Sequence, residues 1–408
     1  MKIFVSAYAC EPNLGSEIGV GWHWVLEMSK YFELWVLTRE SNRKNIEPWI
    51  AEHSEYHGIH WLYYDLPKWA RWWKKGLRGV RTYYNIWQWM TNGIVKRTMQ
   101  KEDIHVFHHL TYGNALWKVS SYGQKQTFIW GPIGGLETIP KEYTRNYPCK
   151  WRLIEFWRRV VATYFPLSHN FRKRCANADL ILCKTEITRS KIPESYRNKS
   201  ILMTDVAIEK KYPKSQLFKK EEEEISFLCV GRLQPWRGFD ICIESFYIAH
   251  KTNPNIHLNI IGGGSYICEL QKKTKFLGLS NAVSFLGTVS KDEYERYLAL
   301  SDVILNPALK EGGVTFSFDA LSMGKPIICL DTSGYTCHFD NSHSYVIKIE
   351  SREQTIIKCA EAICKLTDEN RRTEYGLKAI EKASLFTWEN HGKEIAALFN
   401  KWIPKSLQ

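Results

Sequence analysis

Two doubly wound α/β units, each a parallel sheet wrapped in helices, are predicted from three features: a length of 408 residues, strand-loop-helix segments that alternate from the first residue, and glycine-rich loops where strands end. A chain of this length exceeds one comfortable hydrophobic core, so two domains of about 150 to 200 residues follow. Hydrophobic residues make up 44% and charged residues 24%, ordinary for a globular protein. Neither a repeat period nor a Pro/Gly/Ser tract interrupts the pattern, which argues against a disordered or solenoid chain.

The opening run Lys2-Ile3-Phe4-Val5-Ser6-Ala7 is short, apolar and halted by a glycine-bearing loop over 12–21, the pattern of a buried parallel strand. Gly19-Val20-Gly21-Trp22 leads into Trp24-Val25-Leu26-Glu27-Met28, whose apolar spacing of three and four predicts a helix. Leu34-Trp35-Val36-Leu37-Thr38 is the next strand and completes a β-α-β unit. Further strands are predicted at 60–64, 104–108, 127–130 and 180–184, with gaps long enough for crossover helices. The acidic run Glu221-Glu222-Glu223-Glu224, between a Lys-rich segment and a new apolar run, marks a junction. Beyond it, strands at 226–230, 257–261, 283–285, 303–306 and 326–330 alternate with helices at 239–250, 265–277, 291–299 and 316–323. Phe386-Thr387-Trp388-Glu389 followed by Ile395-Ala396-Ala397-Leu398-Phe399 predicts a terminal helix capped by Thr387. The expected division is 1–205, 206–385, and a helix over 386–408 that crosses back toward the first domain.

A net charge of +13 favours anionic partners such as nucleotide phosphates, nucleic acid or an acidic membrane face. Residues 68–101 hold nine Lys/Arg and no acidic residue, interleaved with Trp69, Trp72, Trp73, Trp87 and Trp89. Residues 150–174 hold seven basic residues, one Glu, and Trp151 and Trp157; fourteen of the seventeen tryptophans precede residue 160, so the two halves differ in task. No run reaches the roughly 18 apolar residues of a spanning helix, and the N-terminus turns polar after one strand length, which places the protein in the cytoplasm as an expectation. Eleven cysteines without a C-x-x-C pair suit reduced, buried thiols better than disulfides or a zinc site.

The segment Gly231-Arg232-Leu233-Gln234-Pro235-Trp236-Arg237-Gly238 sits between a strand and a helix, on the rim where α/β sheets bind ligands. Two guanidinium groups around a Pro/Gly turn either converge on one diphosphate or belong to a solvated basic loop. Ile261-Gly262-Gly263-Gly264-Ser265 repeats the arrangement, its glycines serving a phosphate contact or a tight turn. In Glu311-Gly312-Gly313-Val314-Thr315-Phe316-Ser317-Phe318-Asp319, two carboxylates eight apart span a loop and the start of a helix. They either face one crevice, one toward sugar hydroxyls and one toward ribose, or are surface charges.

The ordered set G-R-L-x-x-x-R-G, I-G-G-G-S, F-L-G-x-V and E-G-G-V-T-F-S-F-D-A-L-S-M-G-K-P-I-I over about 226–350 resembles glycosyltransferase family 4, retaining enzymes of the GT-B fold, in which two Rossmann-like domains face each other across a cleft. The resemblance implies that Arg232 and Arg237 bind the donor diphosphate together with Gly312 and Gly313, that Glu311 lies by the donor sugar, and that Asp319 holds ribose hydroxyls. It places Gly287, Thr288 and Val289 at the nucleoside, where Gly263 of the preceding glycine loop is also expected. Arg at 237 replaces the family's usual Lys, and Asp at 319 its Glu, one methylene shorter. The first half resembles one subgroup through A-C-E-P-x-x-G-S-E-x-G-V-G-W, H-H-L-T and W-G-P-I-G-G-L-E. This implies contacts from Gly15 and Ser16 to the transferred sugar or phosphate, loop orientation or acceptor contact by Glu17, and either an acceptor side or a purely structural turn at Gly134, Gly135 and Glu137. His108 and His109, at a strand end, are either packed core residues or, for at least one of them, the histidine near the donor sugar, His109 preferred.

The resemblance therefore implies transfer of a sugar from a UDP- or GDP-linked donor to a glycan or lipid-linked acceptor, with retention, without metal or other cofactor, in cell-surface polysaccharide or lipopolysaccharide assembly. The basic, Trp-rich segments add an expected peripheral position at the inner face of the cytoplasmic membrane. Rival readings are a basic nucleic-acid-binding protein, for which no module is present, and a catalytically silent GT-B scaffold.

Overall fold

The computed structural model describes residues 1–74, 79–120, 126–209, 224–310, 315–332 and 338–404, with the backbone alone at Ser16. In chain order the first half runs β1 (Lys2–Ser6), α1 (Ser16–Ser29), β2 (Glu33–Thr38), α2 (Arg43–Glu52), β3 (His60–Tyr63), α3 (Lys68–Arg71), α4 (Val80–Lys101), β4 (Val106–His109), β5 (Thr127–Ile133), α5 (Cys149–Tyr164), α6 (His169–Asn177), β6 (Leu180–Cys183), α7 (Glu186–Ser190), α8 (Glu194–Arg197) and β7 (Ser200–Leu202). The second runs β8 (Ile225–Val230), α9 (Phe239–Thr252), β9 (Ile256–Ile261), α10 (Ile267–Phe276), β10 (Val283–Gly287), α11 (Lys291–Leu300), β11 (Val303–Asn306), α12 (Thr315–Ser322), β12 (Ile327–Leu330), β13 (Ser344–Ile347), α13 (Arg352–Lys365), α14 (Glu369–Leu385) and α15 (Trp388–Trp402).

All ladders are parallel, in the orders β3-β2-β1-β4-β5-β6-β7 and β10-β9-β8-β11-β12-β13. Each order reverses beside the first strand of its sheet, between β1 and β4 and between β8 and β11. Loops leaving those strand ends diverge and open a crevice, where such sheets bind ligands.

The chain forms two compact units, Met1–Leu136 with Ala162–Ala207 and Trp388–Gln408, and Glu137–Val161 with Ile208–Thr387. In the first, β1 is buried except at its first residue, and Phe4 and Phe128 both pack on Phe107 at 6.1 and 5.7 Å. The terminal helix α15 joins this unit because Trp388, Ile395 and Phe399 make one apolar stripe. Phe399 stacks on Phe32 and Trp388 on His23. In the second unit Arg352 at the start of α13 pairs with Asp240 at 2.8 Å and Glu244 at 2.7 Å, pinning α13 to α9.

Residues 137–161 were expected within the first domain; they pack in the second unit. The cause is side-chain anchoring. Tyr143 Oη donates to Glu350 O at 2.9 Å and bonds Thr355 Oγ1 at 2.6 Å, and Tyr147 Oη donates to Pro235 O at 2.9 Å. Other elements without a sequence expectation are the three-residue β7, β13, α13 and α14. Of the junction run, 221–223 lie outside the described residues; the crossing between units falls at Ala207/Ile208.

Among the ten described cysteines seven are buried, Cys364 is half-buried, and Cys149 and Cys268 are exposed; none is in a disulfide. Burial pushes the Cys175 and Cys359 thiols up to about 12, so they stay protonated and unreactive. In the segment 68–101, Trp87 is fully buried, Trp73 half-buried, and Trp69, Trp72 and Trp89 exposed. Among the described residues no helix is long and apolar enough to cross a membrane.

Candidate functional site

The reversal point of the second sheet is built from loops that leave no room for side chains. An added Cβ at Gly262 would lie 1.9 Å from Gly231 O, and one at Gly264 2.3 Å from Leu233 O. The loops after β8 and β9 are laced by Gly231 N–H to Ile261 O at 3.0 Å and Leu233 N–H to Gly263 O at 3.0 Å, and Gly262 N–H reaches Gly287 O at 2.7 Å. Gly238 starts α9 at φ +70°, and its missing Cβ would lie 2.0 Å from Pro307 O in the loop after β11. Leu309 N–H closes the same junction on Trp236 O at 3.0 Å. The glycines thus bring three loops into contact, which is a packing role in itself.

These loops enclose an open depression of about 300 Å³. Gly231 and Arg232 line it from the first loop, Gly262 and Gly263 from the second, and Thr288 and Val289 from the turn after β10. Four residues singled out by the sequence, Arg232, Gly263, Thr288 and Val289, therefore meet. Arg232 is exposed, and the Arg237 guanidinium lies across Gly231, its Nη1 3.7 Å from the position a Cβ would take. Gly287, at φ +69°, contributes its carbonyl to the loop lacing rather than a surface.

Tyr294 on α11 also lines the depression, and its Oη donates to Asp319 Oδ2 on α12 at 2.8 Å. Burial, followed by the adjacent carboxylate, pushes the phenol well above its ordinary range, so it stays a donor. Sequence reasoning missed Tyr294, because no local spacing links it to a carboxylate 25 residues on. Glu311, Gly312 and Gly313 lie outside the described residues.

A second polar cluster joins α5 to Trp236, in the loop after β8, and to Lys310, in the loop after β11. Buried Glu155 on α5 pairs with Arg158 and lies 3.7 Å from Lys310 Nζ, in the loop after β11. The Arg158 guanidinium stands 4.4 Å over the Trp236 ring and Lys310 Nζ 5.6 Å from it. Burial lowers the Lys310 pKa, against the pull of Glu155. Glu137, two residues after Gly135, is buried and is the first residue of this unit's 137–161 segment.

In the first unit, α1 begins at Ser16 with Gly15 extended at its N-cap and no side-chain cap. An added Cβ on Gly15 would meet nothing within 4 Å, so packing does not demand glycine there. Glu17 Oε1 accepts the Tyr112 N–H at 2.8 Å, tying α1 to the loop after β4, and Oε2 lies 3.8 Å from Lys184 Nζ, which also pairs with Asp205. Gly134 N–H bonds Gly113 O at 2.7 Å, and Gly135, at φ +94°, leaves no space beside Asn114.

His108 and His109, expected at the crevice, are both buried in the core. His108 Nε2 donates to Gly131 O at 2.8 Å, and its ring packs near Trp24 and Phe399. His109 Nε2 pairs with Tyr84 Oη at 3.0 Å. Burial lowers their pKa values to about 4 and about 3, so both are neutral near pH 7 and present no open edge to a ligand.

Residues 211–381 match the family described as glycosyl transferases group 1. An uncharacterized glycosyltransferase of Haemophilus influenzae is 25% identical over 182 residues, 41% of this chain and 49% of that protein. The GDP-mannose-dependent alpha-(1-6)-phosphatidylinositol monomannoside mannosyltransferase of Mycobacterium tuberculosis is 29% identical over 120 residues, 28% of this chain and 31% of the relative. The chain thus spans half or less of the curated relatives it matches. Anabaena HepE, solved with UDP and glucose, is similar at a TM-score of 0.59 and 14% identity, covering 98% of this chain and 99% of that one. Likeness at that identity shows the fold alone. The family match thus falls on the unit whose loops build the depression, and the chain has the GT-B fold.

Proposed function

We propose that the protein is a glycosyltransferase that binds a UDP- or GDP-linked sugar in the depression of its second unit. The observation that carries this is the convergence of Arg232, the Arg237 guanidinium and the glycine-laced ends of β8, β9 and β10. Neighbouring facts support a nucleotide donor: HepE was solved with UDP and glucose, and the mycobacterial relative is named for GDP-mannose.

In this reading Thr288, Val289 and Gly263 hold the nucleoside, and Asp319, steadied by Tyr294, accepts ribose hydroxyls. Arg232 and Arg237, with Gly312 and Gly313, stabilise charge as it develops on the departing diphosphate, without a metal. The acceptor oxygen bonds to the anomeric carbon on the face the diphosphate leaves. The bond from that carbon to the β-phosphate oxygen breaks, and the acceptor's proton passes to that oxygen. Configuration is retained, and Glu311 lies by the sugar. The first unit offers the uncapped start of α1 at Gly15 and Ser16, suited to an anionic substrate group, with Glu17, Gly134 and Gly135 as acceptor-side scaffold. His108 and His109, sealed in the core, support the end of β4. The acceptor is a glycan or lipid-linked glycan of a cell-surface polymer, reached at an anionic membrane face.

A panel of UDP- and GDP-sugars with lipid-linked acceptors, read by mass spectrometry, tests the proposal. The expected result is one donor class consumed, undiminished by EDTA, with the donor's anomeric configuration in the product by NMR. Loss of turnover in EDTA overturns the metal-free step, and an inverted product overturns the retaining one.

A further inference from the structure

Helix α5 carries two faces of opposite character. Trp151, Glu155, Arg158 and Ala162 fall at spacings of four, three and four, on one side of the helix. Glu155 and Arg158 there grip Lys310 and Trp236, and Trp151 packs edge-on against Trp236 at 5.8 Å. That side is fully engaged and fixes the rotation of the helix. The opposite side is apolar and open: Leu153, Phe156 and Trp157 are 59%, 51% and 58% exposed, and Val161 and Tyr164 continue the stripe at the same spacing. Surface helices ordinarily turn such a stripe inward. Here it cannot rotate into the core without releasing the ion pairs behind it.

Charge selects what covers the stripe. Exposed Lys150 and Arg152 flank it, and Glu155, buried and paired, is the one acidic residue of the helix. A second copy of a chain carrying +13 would bring like charge against these flanks. An anionic bilayer meets both demands, taking Leu, Phe, Trp and Tyr at the acyl boundary and basic flanks at the headgroups.

We propose that α5 is an interfacial helix that seats the protein on an anionic lipid surface through Leu153, Phe156, Trp157, Val161 and Tyr164. This deepens, and in its choice of partner rests on, the reading of a lipid-linked acceptor. It assigns the docking to α5 rather than to Trp69, Trp72 and Trp89, which are exposed but fall on separate elements and make no continuous helical stripe.

The test is co-sedimentation of the full chain with phosphatidylcholine vesicles, with and without phosphatidylglycerol, at low salt. Thermal melting and UDP and GDP titration are run on the same samples. The wild-type chain is expected to pellet with the anionic vesicles only. The triple variant Leu153→Gln/Phe156→Gln/Trp157→Gln, altered only at exposed positions, is expected to bind them at least about tenfold more weakly with melting unchanged. Lys150→Glu/Arg152→Glu is expected to lose binding similarly, and Trp69→Gln/Trp72→Gln/Trp89→Gln to retain it. Failure of the wild type to bind, full binding by the α5 triple variant, or a dimer in sedimentation velocity that this variant abolishes would each overturn the proposal, the last in favour of a second copy. Nucleotide titration separates the two readings: vesicle binding without nucleotide binding sinks the donor assignment alone, and nucleotide binding with vesicle binding indifferent to α5 sinks the docking alone.

Discussion

Tyr294 and Asp319 show how a shortened side chain is accommodated. The resemblance to family 4 places Glu at the ribose position, and Asp there loses one methylene of reach. A phenol donor at 2.8 Å holds the Asp319 carboxylate; in the proposed reading this lowers the entropy lost when ribose binds. Tyr294→Phe removes a hydrogen bond to a charged group, worth about 1.5 to 3 kcal/mol. Nucleotide affinity by calorimetry is expected to fall about tenfold or more while melting shifts little; an unchanged Kd would reduce Tyr294 to a structural neighbour. The core histidines allow a second check. The unfolded chain protonates near 6.5, whereas burial holds His108 near 4 and His109 near 3. Both are neutral in the fold, so their contribution is full above about pH 6.5 and is lost as pH falls toward the folded values, at about 1.4 kcal/mol per pH unit for each histidine. His109→Gln is expected to remove about one proton from the slope of urea stability between pH 6.5 and 5.5. An identical slope would contradict the buried, neutral assignment.

At the level of elements, the glycine loops separate roles that one residue type conceals. Gly238 combines φ +70° with a Pro307 carbonyl 2.0 Å from where a Cβ would stand, so Gly238→Ala is expected to cost on the order of 2 kcal/mol or more and lower the melting temperature. Gly15 has open space, so Gly15→Ala is expected to melt like wild type yet transfer more slowly if substrate approaches that backbone. Full activity in Gly15→Ala would remove α1 from the substrate contacts. The same contrast explains what was legible in the sequence. Arg232, Gly263, Thr288 and Val289 stood out because strand-loop-helix spacing fixes backbone position at a sheet's rim. Tyr294 and Lys310 did not, since their partners lie 25 and 155 positions away and only tertiary packing unites them. The histidines misled because their place at a strand end says nothing about burial, and β4 turns both into the core.

For the whole molecule, two parallel sheets, each with one reversal point, follow from regular alternation of apolar strands and amphipathic helices, and that pattern was readable from composition and period alone. The excursion of 137–161 into the second unit was not, since Tyr143, Tyr147 and Glu155 declare their partners only in three dimensions. That excursion packs an ion-paired helix against Trp236 and Lys310, in the loops after β8 and β11. The central claim is that those loops bind a nucleotide diphosphate through two guanidinium groups, and calorimetric titration of UDP and GDP into wild type, Arg232→Ala, Arg237→Ala and Arg237→Lys tests it most directly. One nucleotide is expected to bind wild type at a single site, with affinity reduced about a hundredfold in each alanine variant and only mildly in Arg237→Lys. Binding of equal strength in both alanine variants, or none by wild type to either nucleotide, would contradict the account.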